Sequence, residues 1–366
     1  MPKTISLEKK DEIKERILKI LGVNGRISIR DLSKTLKVSK TTAHKLFSEL
    51  VKERNLYFTV EIGVEELWRW EFVKQARTYN KKGILEKVIE NLPELGFEEF
   101  VILFKFLDKK PTDDELVTAI GTSYIPQFMA KLHGDHDMII YGVARGYDEI
   151  NRFIIDFNKH ISKYNSTSEL LNIRKFYGFF PLRQKLLEQF EIQDTYKHII
   201  LGLNTDGRTE FSGIAKKFKH GLPHTLYAYD RLLKTGILTR LTYYEKKPEN
   251  AFCVVIQIKI INESKYFETR EKWFLDMVRS SDKAHTEYTF ICDISNPDGG
   301  LVFMNFRDGD LAERYVNKLM AILDGVEIKY TVITSIILGN MGVRDFDMKH
   351  STQHKILERK GLLPKN

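Results

Sequence analysis

The side chains best suited to chemistry in this 366-residue chain are polar and basic groups on one face of a helical stretch. After Ser39, apolar residues recur at helical spacing and predict an inward stripe of Ala43, Leu46, Phe47, Leu50 and Val51. The other face carries cations and hydrogen-bond donors, the residue types that contact phosphates and base edges of duplex DNA. The candidates for DNA contact on this helix are Ser39, Lys40, Thr41, Thr42, His44, Lys45 and Ser48. Arg26, Arg30, Lys34 and Lys37, which precede it, are candidates for phosphate contact.

A second set of candidates follows from an internal repeat. Sliding the sequence against itself by 182 positions aligns about forty residues without a gap, so that Gly25-Arg26 falls on Gly207-Arg208 and Leu50 falls on Leu232. The second copy of the helix has fewer cations and more aromatic bulk than the first, and Tyr229 lies on its inward stripe. Its candidates for DNA contact are His224, Thr225, Tyr227 and Arg231. A packing or pairing role for this second helix stays open beside DNA contact.

No catalytic or metal-binding motif stands out elsewhere. His133 and His136 flank Gly134-Asp135 within a short turn, and this pattern favours a polar hairpin turn over a metal site. Cys253 and Cys292 are too isolated for a disulfide framework or a zinc site. Nucleotide-binding, serine hydrolase and zinc protease patterns are absent from the sequence. We therefore expect no enzyme activity, no cofactor and no metal.

The N-terminal sequence is charged where a signal peptide needs an apolar stretch, and the sequence has no run of about 18 apolar residues. These observations predict a cytoplasmic protein without a membrane partner. With double-stranded DNA as its expected partner, the protein would be nucleoid-associated.

The elements that must position the candidate residues form an alternating pattern. Around the first set, two helices precede the stretch that Ser39 caps, and an extended segment from Leu56 follows it; this order predicts a helix-turn-helix with a wing. Each copy is followed by a β-α-β-β-α-β order of strands and helices, including predicted helices over 112–120, 147–161, 264–280 and 309–323. The fold class predicted is α+β, with two winged helix-turn-helix domains alternating with two ferredoxin-like domains.

The predicted boundaries give six segments. They are a helix-turn-helix domain at 1–60, a linker or helical insertion at 61–96, a ferredoxin-like domain at 97–182, a second helix-turn-helix domain at 183–245, a second ferredoxin-like domain at 246–340 and a tail at 341–366.

Charge follows this division. The whole chain has a net charge of +8, yet residues 1–56 hold 14 Lys and Arg against 7 Asp and Glu, and residues 194–241 hold 8 against 4. The α/β stretches 97–165 and 251–338 are each net −3. Basic helix-turn-helix segments on acidic α/β segments are typical of a protein that binds phosphates with one part only.

This architecture resembles the Lrp/AsnC, or feast/famine, transcription regulators, as two units in tandem. The resemblance rests on the domain order and on three stretches: Asp206-Gly207-Arg208, Gly236-Ile237-Leu238 and Gly134 to Asp137. It implies that the first module binds double-stranded DNA, and that the second pairs subunits and senses a small molecule such as an amino acid. Gly134 and Asp137 would then lie near an effector site. It also implies that the two sheets pair within one chain, which would assemble further into a homo-oligomer.

Two other functions stay open at this stage. The same architecture resembles siroheme decarboxylases, which act on a tetrapyrrole through His and Arg residues and would require a basic pocket in the α/β part. The third reading is an effector-binding or assembly protein that does not bind DNA.

Overall fold

The computed structural model describes residues 6–54, 56–63, 66–71, 97–178, 183–245, 252–266, 268–269, 287–294, 298–306 and 308–339. The helices, in chain order, are α1 (Leu7–Val23), α2 (Ile29–Leu36), α3 (Lys40–Glu53), α4 (Asp113–Ile120), α5 (Gly146–His160), α6 (Gln184–Glu188), α7 (Asp194–Thr205), α8 (Phe211–Lys217), α9 (Leu222–Lys234) and α10 (Gly309–Ile322). The strands are β1 (Leu56–Ile62), β2 (Phe97–Phe106), β3 (Pro126–His133), β4 (Met138–Arg145), β5 (Ser166–Gly178), β6 (Leu238–Glu245), β7 (Phe252–Ile260), β8 (Glu287–Ile294), β9 (Asp298–Phe306) and β10 (Val326–Leu338). This mixture of helices and antiparallel strands confirms the predicted α+β class.

The chain divides into two compact units, each built from separated segments. The described part of the first, which we name the helical unit, covers 6–71 and 183–245; that of the second, the barrel unit, covers 97–178 and 252–339. The predicted helix-turn-helix segments thus share one unit and the predicted α/β segments share the other. Of the predicted insertion at 61–96, residues 66–71 are helical, whereas the expected helical stretch at 84–92 lies outside the described residues. So do the tail at 341–366 and most of the helix predicted at 264–280.

In the helical unit, α1, α2 and α3 form a three-helix segment that β1 extends. Serine side chains begin all three helices: Ser6, Ser28 and Ser39 accept hydrogen bonds from the backbone N–H three residues later. Lys37, with a φ of 55°, turns the chain between α2 and α3 in the left-handed conformation. The apolar stripes of the helices meet in a core that includes Ile17, Leu32, Leu46 and Phe58.

Helices α7, α8 and α9 form a second segment of the same plan, with β6 after it. Lys219, at a φ of 57°, makes the left-handed turn between α8 and α9. β1 and β6 pair antiparallel, from Leu56 opposite Glu245 to Val60 opposite Leu241. This two-stranded sheet joins the two segments.

The barrel unit consists of eight strands in the closed order β10-β3-β4-β2-β5-β8-β9-β7. Within it, β5-β2-β4-β3 and β10-β7-β9-β8 each have the strand order of a split βαβ unit. The two sets meet edge to edge, through β3 with β10 and β5 with β8. Pairing within one chain therefore occurs, by strand hydrogen bonds at both seams.

Helices cover apolar faces of this barrel. α4 and α5 pack with β2, β3 and β4 around Phe100, Phe104 and Ile140, while α10 packs around Ile256 and Met304. Phe128 and Phe303 meet edge to face at 6.0 Å and connect the two four-stranded sets. Among the described helices of the chain, none is long and apolar enough to cross a membrane.

Candidate nucleic-acid interface

The N-terminal turn of α3 presents the predicted DNA-contacting residues to solvent. Ser39 Oγ lies 3.0 Å from the Thr42 backbone nitrogen and accepts its hydrogen bond, and it lies 2.8 Å from Thr42 Oγ1. Thr42 is thus half-buried and engaged with the cap. The remaining predicted residues of this helix are exposed: Lys40, Thr41, His44, Lys45 and Ser48. Lys45 lies 4.0 Å from Glu49 across one helical turn, a weak pair at this exposure.

A groove of about 580 Å³ opens where the N-termini of α2 and α3 come together. Its lining residues are Ser28, Ile29, Arg30, Lys40, Thr41 and His44. Helix N-termini carry partial positive charge and unpaired backbone N–H groups, so they favour anions. Two such termini, with the charges of Arg30 and Lys40, suit this groove to a phosphate backbone. Sequence reasoning missed Ser28 and Ile29, although a serine three residues before Asp31 signals a helix start.

The equivalent surface of α9 is different. Leu222, Leu226 and Tyr227 are 42%, 44% and 59% exposed. His224 is exposed and its Nε2 lies 3.2 Å from Thr195 Oγ1. Arg231 lies over the Trp70 ring, 6.0 Å from its centroid.

Thr225 is a correction to the sequence prediction. It is fully buried, and its hydroxyl donates to the Gly221 carbonyl oxygen at 3.1 Å. It lies on the core side of α9 and has no surface to offer DNA.

Arg26 is a second correction. Its guanidinium is half-buried and donates to the carbonyl oxygens of Gly207 and Thr209, at 2.9 and 2.8 Å, while lying 4.5 Å from the Phe211 ring centroid. Burial lowers the pKa of this group, although an arginine stays charged at physiological pH. The side chain joins the two three-helix segments and is not available to a phosphate.

Arg208 makes the reciprocal contact. It donates to the carbonyl oxygens of Gly25 and Ile27, at 2.6 and 3.2 Å, and lies about 5 Å from the rings of Phe47 and Phe58. Each arginine thus holds the other segment's turn; we name the pair Arg26 and Arg208 the arginine clamp.

Gly25 and Gly207 allow the turn of each segment to lie directly against the β-strand of the other. Gly25 N–H donates to Leu241 O at 2.7 Å, and Gly207 N–H donates to Phe58 O at 2.8 Å. A Cβ at Gly207 would lie 2.7 Å from the backbone nitrogen of Thr59. Only a residue without a side chain fits there.

In the barrel unit, Asp137 holds the β3–β4 turn. It is 4% exposed and accepts hydrogen bonds from the Phe106 backbone nitrogen and Lys110 Nζ, at 2.8 and 2.7 Å. Burial raises the pKa of this carboxyl, but the hydrogen bonds outweigh burial and the net shift is downward. Gly134, at a φ of 147°, provides the turn's conformation.

A cavity of about 150 Å³ lies beside Asp137, lined also by Lys110, Lys131, His133 and Met138. A cavity of this size holds a molecule about as large as benzene. The effector role of Gly134 and Asp137 stays a prediction. Across the described residues, no group of three or more His, Cys, Asp or Glu is placed to hold a metal ion.

Comparison with known families identifies the first segment. Residues 10–54 match the family described as winged helix-turn-helix DNA-binding. The match covers α1 to α3, which carry the capped helix and the groove. None of the curated proteins compared with this sequence matches it.

Solved structures match over longer stretches. Siroheme decarboxylase NirDL matches with a TM-score of 0.54 and 9% identity, covering 95% of this chain and 99% of that chain. The same enzyme with an iron-uroporphyrin III analogue gives a TM-score of 0.53 and 10% identity, covering 96% and 98%. LrpC of B. subtilis matches with a TM-score of 0.32 and 15% identity, covering 40% of this chain and 96% of that chain.

These findings confirm the predicted winged helix-turn-helix over residues 10–54 and correct one prediction. The sequence-based expectation that the chain is not an enzyme is wrong by this comparison, because the structures that match it almost end to end are those of a decarboxylase. At 9–10% identity the likeness concerns the fold.

Proposed function

We propose that this protein is a sequence-specific, DNA-binding transcription regulator that contacts duplex DNA through α3 and the groove beside it. The observation that carries the proposal is the convergence of two helix N-termini with Arg30, Lys40 and His44 around one open groove. The winged helix-turn-helix match over residues 10–54 supports it.

Charge supports the same conclusion. Residues 1–56 are net +7, and Lys40 and Lys45 lie exposed on the face of α3 away from its buried residues. In helix-turn-helix proteins the second helix of the motif, which is α3 here, contacts base edges through its N-terminal residues, while flanking cations bind phosphates. Lys40, Thr41 and His44 hold these positions here. It follows that the protein works at the nucleoid.

Replacing two cations of α3 tests the proposal. We expect Lys40→Ala with Lys45→Ala to weaken DNA binding and to reduce the slope of log affinity against log salt by about two phosphate contacts, roughly 0.9 each. Binding isotherms of the full chain at several salt concentrations measure both quantities. The matched control is Lys109→Ala with Lys159→Ala, which removes two exposed charges from the barrel unit. An isotherm unchanged by the α3 variant, or changed equally by the control, would contradict the proposal.

Recovery of bound DNA across the genome tests the regulatory part. Enrichment of defined promoters is the expected result, and uniform recovery of genomic DNA would reduce the function to non-specific binding.

The near full-length likeness to siroheme decarboxylase favours a second candidate, a tetrapyrrole-binding enzyme. The cavity beside Asp137, at about 150 Å³, is itself smaller than the usual 300–1,000 Å³, roughly, of sites for drug-sized ligands. Titrating the protein with iron-uroporphyrin III and following its visible absorbance tests this candidate. A saturable shift of the porphyrin absorbance would support this candidate. A spectrum equal to the sum of the separate spectra of the protein and the porphyrin would count against it.

A further inference from the structure

Helices α3 and α9 occupy equivalent positions in their segments but differ in the chemistry that they expose. Their buried residues correspond one to one at the 182-residue offset: Ala43, Leu46 and Leu50 in α3, and Thr225, Ala228 and Leu232 in α9. The same offset therefore pairs their outer faces. Where α3 exposes Lys40, His44 and Lys45, α9 exposes Leu222, Leu226 and Tyr227.

The exchange replaces three polar or basic side chains of α3 with apolar or aromatic ones in α9. His224 and Arg231 remain on α9, but His224 Nε2 lies 3.2 Å from Thr195 Oγ1 and Arg231 lies 6.0 Å from the Trp70 ring centroid. Leucine side chains neither neutralise phosphates nor bond to base edges, and apolar groups in the major groove contact mainly the thymine methyl. Burying Leu222 and Leu226 against phosphates would desolvate the phosphates without compensation.

The N-terminus of α9 also differs from that of α3 in the backbone donors of its first turn. Pro223 lies in the first turn of α9 and has no backbone N–H, so it removes one of the donors that a helix N-terminus offers to a phosphate. Thr41 is the residue at the matching position of α3 and keeps its N–H.

The two helices are nevertheless presented together. The arginine clamp and the β1–β6 pairing hold both segments in the helical unit. A protein with two equal recognition helices reads two half-sites, and its operator mirrors that symmetry. Here the exposed face of α9 lacks the basic and polar side chains with which the exposed face of α3 would contact DNA.

We propose that the DNA bound by a single chain has no two-fold symmetry: α3 reads one element, and α9 makes neither base nor phosphate contacts. The inference rests on the proposed DNA-binding function and narrows its target class.

Selection from a random DNA pool with the full chain, followed by binding measurements on matched variants, tests this inference. We expect the selected DNA to contain one element without an inverted repeat. Lys40→Ala with Lys45→Ala should lower affinity for it by about tenfold or more. The control pair Leu222→Ala with Leu226→Ala, at the positions of Lys40 and His44, should leave affinity within about twofold and the salt slope unchanged. Both residues of this control pair are exposed, and alanine is a strong helix former.

The outcomes separate the inference from the function on which it rests. An inverted repeat that binds one chain per duplex, or an equal loss of affinity in the α9 variant, overturns the asymmetric target while DNA binding stands. No enriched sequence, with affinities indifferent to both variants, overturns the proposed function and this inference together.

Discussion

Helices α3 and α9 have nearly the same length, and their buried residues have the same spacing. Their exposed faces differ in chemistry: that of α3 is polar and basic, and that of α9 is largely apolar. The residues that each buries maintain the three-helix core and match across the two segments. The exposed positions contribute little to that core, so they differ without changing the fold. In this architecture the exposed residues of a helix can therefore change while the buried residues that hold the helix in place stay the same. Because of this, one segment resembles a DNA reader while the other shares only its shape.

The two arginines of the clamp make equivalent contacts, so replacing either one should have a similar effect. We expect this effect on the free energy of unfolding to be the largest of those considered. Arg26→Ala leaves the Gly207 and Thr209 carbonyls without the guanidinium donors, and Arg208→Ala does the same to Gly25 and Ile27. We expect each variant to lower the free energy of unfolding by about 2 kcal/mol, from the lost hydrogen bonds and the cation–π contact. Urea unfolding of the full chain measures the change.

Arg26→Lys and Arg30→Ala sharpen that experiment. The lysine variant keeps the charge but cannot donate to two carbonyls in the fork geometry, so it should recover only part of the loss. Arg30 is exposed, and its removal should change stability by no more than about 0.5 kcal/mol. If Arg208→Ala unfolds like the wild type while Arg26→Ala does not, the two halves of the clamp are not equivalent.

The helix caps are where the two segments should differ, with a smaller effect. Ser39→Ala removes the acceptor for the Thr42 N–H and should lower the free energy of unfolding by about 1 kcal/mol. Gly221→Ser adds a cap that α9 lacks and should raise it by a few tenths of a kcal/mol. A Cβ at Gly221 has open space around it, so the substitution meets no obstacle. Thermal unfolding of both variants against the wild type checks the signs, and a stabilising Ser39→Ala would contradict the account.

Local patterns predicted the helical elements well. The start of α3 follows from Ser39 as a cap. Of the predicted inward stripe, Ala43, Leu46 and Leu50 are buried, and Phe47 and Val51 are partly buried against the same core. The strand order of the α/β stretches was also accessible, because alternation of strands and helices restricts the topology. Thr225 was an avoidable error, since it aligns with Ala43, a residue already placed on the inward stripe.

Arg26 could not be assigned correctly from local sequence. Its partners Gly207 and Thr209 lie more than 180 residues away, and a basic residue in a turn is normally solvent-exposed. The same limit applies to the division into two units. Which segments join is decided by burial and strand pairing between residues far apart in the chain. A short stretch of sequence does not contain both members of such a contact.

Since β1 pairs with β6 in one polypeptide, the two sides of the helical unit are encoded by separate stretches of one gene. In a homodimer, every substitution is copied into both subunits, and a change that improves one half-site contact is imposed on the other. Here Leu222 and Lys40 can mutate independently. A chain built this way can change the exposed surface of one segment at a time, without passing through an intermediate in which both segments are altered.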